Sequence, residues 1–106
     1  MRITLALLTL TLGLSGVARG DITPAWKKHC ASCHGMDGKG DTAMGKKNKV
    51  EDLSSAEWQG NKKHTDTFIR DAIANGVPDT KMKAFKDKLS DEEIGEMVAY
   101  IRALKK

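Results

Sequence analysis

The sequence predicts an all-α domain. No segment alternates polar and apolar residues with the period of two that a half-buried strand needs. Phe68, Ile69, Ala72 and Ile73 instead recur at helical spacing, and Ile94, Met97, Val98, Ile101 and Leu104 extend a longer stripe of the same kind. Capping residues stand where those stripes begin.

The elements follow in order. Residues 1–20 carry Arg2, then the apolar run Ile3 to Leu14, then small residues Ala18 and Gly20. This is the layout of a cleaved secretory signal peptide. The run is well short of the roughly 20 apolar residues that a membrane span needs, so no stable insertion is expected after cleavage. Residues 21–106 then form a single domain. Thr23 before Pro24 reads as an N-cap with proline at the first helical position, opening a helix that runs past Trp26 to about Cys33. Four glycines and little apolar periodicity make Gly35 to Val50 a loop. Ser54-Ser55-Ala56-Glu57 offers a capping box for a short helical turn bearing Trp58, with Gly60 as its stop. Thr65 or Asp66 caps the next helix, which Asn75-Gly76 closes. Val77 to Leu89, marked by Pro78, is irregular, and Ser90-Asp91-Glu92-Glu93 is a second capping box ahead of the last helix.

Without residues 1–20, 86 residues remain, with 16 basic and 14 acidic side chains and a formal charge of +2. Lysines in local groups at so low a net charge, with no nucleic-acid-reading motif, point away from DNA or RNA. A domain this small buries a limited core, and only one Tyr, two Trp and two Phe supply aromatic bulk. A cofactor is a common remedy.

Cys30-Ala31-Ser32-Cys33-His34 holds both cysteines. A disulfide here would close too small a loop to staple the fold. A thioredoxin-like pair needs a βαβ context, and a zinc site needs further ligands that His64 alone does not supply. Covalent haem attachment is the remaining meaning of C-x-x-C-H. Two thiols three residues apart on a helical turn project to one side, where each can add to a vinyl group. His34 is then brought beneath the iron as proximal ligand. His29 lies in the wrong order for that task and reads as a solvated residue on the helix back.

The opposite face of the iron needs its own ligand. Met97 belongs to the apolar stripe, Met36 follows the motif too closely, and Met44 and His64 carry no flanking signal. Met82 sits in an irregular stretch where no helical core requires a thioether, with Phe85 and Leu89 to anchor it. It is the expected distal ligand.

These segments resemble the class I c-type cytochromes of the small, soluble, monohaem bacterial kind. The resemblance rests on CASCHGMDGKG near the start of the domain, on TKMKAF, and on LSDEEIGEMVAYIRALKK, with DLSSAEWQG similar to the middle of such domains. It implies a small cytochrome c fold, three to four helices and loops wrapped around one covalently bound haem c. It further implies thioethers at Cys30 and Cys33, His34 and Met82 on the iron, Trp26 against Tyr100 where the first and last helices cross, and Trp58 near a haem propionate. The chain departs from that family in having no proline between His34 and Val50 and in placing Lys83-Ala84 after Met82. Some carbonyl other than the usual one must therefore hold the tautomer of His34.

Haem closed on both faces leaves one-electron exchange as its chemistry, and no other catalytic constellation is present. The expectation is a periplasmic single-electron carrier, not an enzyme, and a monomer. Lys81, Lys83, Lys86 and Lys88 would steer it into transient contact with redox protein partners bearing acidic docking patches. Two alternatives are a haem protein with an open sixth position that binds gases or peroxide, and a dedicated cytochrome subunit of a dehydrogenase or oxidase complex.

Overall fold

The computed structural model describes residues 21–106. The expected signal peptide, residues 1–20, lies outside the described residues. Within them the chain is helical, with no strand: α1 (Thr23–His29), α2 (Ala31–His34), α3 (Ala43–Lys47), α4 (Ala56–Gly60), α5 (Asp66–Asn75) and α6 (Asp91–Ala103). Six helical segments stand where three to four helices were expected, because the first helix is broken and a further short one lies in the predicted loop.

Local chemistry accounts for the starts and stops. Thr23 is not the N-cap of α1: Ile22 occupies that position without a side-chain bond, and Asp21 Oδ1 accepts the Thr23 N–H at 3.0 Å. The helix breaks at Cys30, whose φ of −120° leaves the helical range. Thr42, unnoticed in the sequence, caps α3 by accepting the Gly45 N–H. Ser55, not Ser54, caps α4; the Ser54 hydroxyl is turned instead onto Asp52 Oδ1 at 2.6 Å. Thr65 caps α5 and Gly76, in the left-handed region at φ +75°, ends it. Ser90 and Glu93 form the full reciprocal capping box of α6.

The core lies between α5, α6 and the α1–α2 segment. Trp26, Ile69, Ile73, Phe85, Leu89, Ile94, Met97, Val98 and Ile101 are buried together, with Leu53 and Cys30 at the margin. Fully burying a side chain such as Ile94 or Met97 contributes roughly 1.5–3 kcal/mol. Trp26 meets Tyr100 of α6 at a ring distance of 5.0 Å, as expected. Polar bonds tie α4 to the far end of α6. Gln59 Nε2 donates to the carbonyls of Leu53 and Ile101, both at 2.8 Å, and the Arg102 guanidinium donates to Gln59, His64 and Asp66.

Candidate functional site

The Cys30–His34 turn is built from its backbone outward. Trp26 O accepts the Cys30 N–H at 2.8 Å, and Cys30 O in turn accepts Cys33 N–H at 3.3 Å and His34 N–H at 2.9 Å. Both thiols are therefore carried on one turn, and both are free. Three contacts pin the turn from outside. The Trp26 indole N–H donates to Gly35 O at 2.9 Å, the Thr42 hydroxyl donates to Cys33 O at 2.8 Å, and Gly40 N–H donates to His34 O at 2.7 Å. Gly45 of α3 sits so close that an added Cβ would press on the carbonyls of Cys33 and Gly40.

Burial sets the protonation of the two key side chains. Desolvation, with a smaller contribution from Cys33, pushes the Cys30 thiol up to about 11, so it stays protonated at neutral pH. Burial also lowers the pKa of His34, which favours the neutral imidazole that a metal requires. Its ring lies 5.8 Å from the Trp26 ring. Nδ1 of His34 is buried and has no hydrogen-bond partner among the described residues. The carbonyl expected to hold the tautomer of His34 therefore does not reach Nδ1 here, because no backbone oxygen of the surrounding loop is aimed at it. Two free thiols on one turn followed by a neutral imidazole are nevertheless a donor set that fits a covalently held haem.

The methionines sort by burial. Met97 is 0% exposed in the core, whereas Met36 and Met44 are 48% and 46% exposed. Met82 lies between these extremes, half-buried against the core cluster. Phe85 and Leu89 are buried behind it, as the sequence suggested. Their segment is anchored to α5 by Phe85 N–H to Ile73 O at 2.9 Å and Lys86 N–H to Ala74 O at 3.2 Å. Lys81, Lys83, Lys86 and Lys88 are exposed around it.

One residue behaves differently from expectation, and another takes a place for which the sequence set none. His29 is half-buried rather than solvated: its ring meets Phe85 edge-on at 5.4 Å, which joins α1 to the Met82 segment. His64 stacks on Trp58 at 4.4 Å and its Nδ1 lies 2.8 Å from Trp58 O, with the Phe68 ring 5.4 Å away. Trp58 and His64 wall an open cavity of about 270 Å³ together with Glu51, Asp52, Ser55, Glu57 and Asn61. The stack could not be read from spacing alone, since a Trp and a His six residues apart meet only when the turn between them is known.

Comparison with known proteins agrees with this architecture. The family described as "Cytochrome C oxidase, cbb3-type, subunit III" matches residues 20–101. The cbb3-type cytochrome c oxidase subunit FixP of Azorhizobium caulinodans is 38% identical over 99 residues, covering 86% of this chain and 31% of that protein. This chain thus spans less than two thirds of the curated relative it matches. Among solved structures, the KustC0563 c-type cytochrome superposes with a TM-score of 0.72 at 36% identity, over 81% of this chain and 99% of the other. The c-type cytochrome NirC, at a TM-score of 0.60 and 21% identity over 77% and 85% of the two chains, shares the fold.

Proposed function

The chain belongs to the family described as cytochrome c oxidase, cbb3-type, subunit III, and from that premise we propose that it is a periplasmic single-electron carrier. Membership assigns it to the c-type cytochromes, whose haem c and iron serve electron transfer. In the finer reading, one haem is bonded to Cys30 and Cys33, His34 is the proximal ligand and Met82 the distal one, within a single domain of residues 21–106 that follows a cleaved leader. When bound, such a group supplies one-electron exchange at the iron, and thioether ligation favours the ferrous state.

The chain's own residues do the rest. Trp26, Thr42 and Gly45 hold the Cys30–His34 turn, so the backbone that carries His34 keeps its position through each redox change. Burial keeps it neutral. Met82, closing the other face, excludes water and small ligands. One electron enters from a reduced protein partner and one leaves to an oxidised partner. The exposed lysines at 81, 83, 86 and 88 speed those encounters with acidic surfaces and leave the complexes short-lived. The carrying observation is the pair of free thiols on one turn that ends in His34, whose burial favours the neutral imidazole.

Spectroscopy of the exported, haem-loaded protein tests this. A low-spin c-type spectrum is expected, with a weak far-red methionine–iron band that Met82→Ala abolishes. A high-spin spectrum without that band overturns ligation by Met82, and the protein is then a ligand-binding haem protein. The similarity to FixP supports a second reading, a cytochrome domain serving one oxidase complex. Stable co-purification with oxidase subunits would select it over the free carrier.

A further inference from the structure

No proline follows Met82, where Lys83 and Ala84 stand. The chain ahead of it is nevertheless closed on itself. Val77 N–H donates to Met82 O at 3.2 Å, and Thr80 N–H donates to Val77 O at 3.3 Å. The Thr80 hydroxyl acts in both directions: it donates to Val77 O at 2.8 Å and accepts the Met82 N–H at 3.1 Å. Asp79, at φ +62°, turns the chain between them. Beneath the turn lies Gly76, where an added Cβ would come within 2.7 Å of Met82 O and 3.0 Å of Ala84 N.

Both backbone polar groups of Met82 are thus occupied, one by Val77 and one by Thr80. Thr80 is exposed, and its hydroxyl could bond to water instead. Its place in the turn therefore stabilises the turn rather than satisfying a buried group. We propose that Thr80 is the positioning residue for Met82. Its hydroxyl fixes the backbone from which the thioether projects, a constraint that proline after the methionine would otherwise impose. The inference rests on the reading of Met82 as distal ligand.

A side chain that only tidies an exposed turn would leave the metal's spectrum unchanged, so spectroscopy separates the two roles. Thr80→Val keeps the shape and removes the hydroxyl. In the haem-loaded protein it should weaken the far-red methionine–iron band and speed carbon monoxide binding to the ferrous form by about tenfold, from the loss of two hydrogen bonds. Thr80→Ser should restore both. A Thr80→Val protein with the wild-type band and carbon monoxide rate overturns the inference alone. So does a loss of the band that Thr80→Ser fails to repair. A wild-type protein without the band overturns the Met82 reading and this inference with it.

Discussion

The two segments that would face the iron are held in opposite ways. Around His34 the support is buried or half-buried and comes from other helices and loops: the Trp26 ring, 1% exposed, the half-buried Thr42 hydroxyl and the glycine contact of α3. Around Met82 the support is exposed and comes from within six residues, apart from the anchors at Phe85 and Leu89. Buried, long-range support opens only with much of the fold, whereas a self-bonded exposed turn opens locally and at lower cost. The proximal side should therefore fail with the whole domain and the distal side should fail by itself. The His29–Phe85 contact is the one aromatic link between the two segments among the described residues.

Two substitutions test that contrast and a third supplies a reference outside it, beginning with the largest effect. Gly45→Ala forces a methyl onto two backbone carbonyls that cannot move without displacing α2 or the Gly40 turn. Overpacking of this kind costs about 3 kcal/mol or more, which for a domain of this size lowers the Tm by roughly 12–24 °C. Thermal unfolding should show the whole domain lost in one step, and a Tm within a degree or two of wild type would break the proximal half of the comparison.

Gly76→Ala is next. It places a side chain at φ +75° and ψ −179°, a region that essentially only glycine adopts, and against Met82 O, at a cost of about 1–3 kcal/mol. The far-red methionine–iron band should weaken well below the unfolding temperature. Loss of band and fold together would show that the distal segment is no more independent than the proximal one.

Ser54→Ala probes a position outside both segments. The Ser54 hydroxyl, followed by its backbone N–H, holds the Asp52 carboxyl below its usual 3.8. A lowered carboxyl pKa stabilises the fold above the ordinary value, and that contribution fades as pH falls through the lowered one. Asp52 is exposed, so the variant should lose only a few tenths of a kcal/mol at pH 7. Its Tm deficit should shrink as the pH drops below 3.8. A deficit that stays constant with pH would mean that Ser54 acts through packing instead.

Legibility followed distance along the chain. The capping box of Ser90 and Glu93, the Thr65 cap and the Gly76 stop were all readable, because each joins groups three or four residues apart in a known pattern. The α3 helix was missed: five residues without an apolar stripe, in a glycine-rich stretch, owe their form to Thr42 and to packing on α2. Thr42 as a cap three residues ahead of Gly45 was the available signal. Ser55 displaced the expected cap of α4 by one residue, and at α1 the Asp21 carboxylate takes the Thr23 N–H ahead of an uncapped Ile22, since neighbouring polar side chains compete for the same N–H groups.

For the site, the residue types alone determined the candidate chemistry. Two thiols three apart followed by an imidazole specify their geometry through the helical turn that carries them, wherever that turn lies. Position-dependent properties had to wait for the chain path. The neutrality of His34 is favoured by burial, which exists only in the folded chain. The pinning of its turn uses hydrogen bonds between residues nine apart. The enclosure of α4 and His64 by Arg102 uses bonds spanning 38 and 43 residues. Desolvation and long-range hydrogen bonding belong to a folded arrangement and have no signature in local sequence, whereas bonding geometry within one turn does.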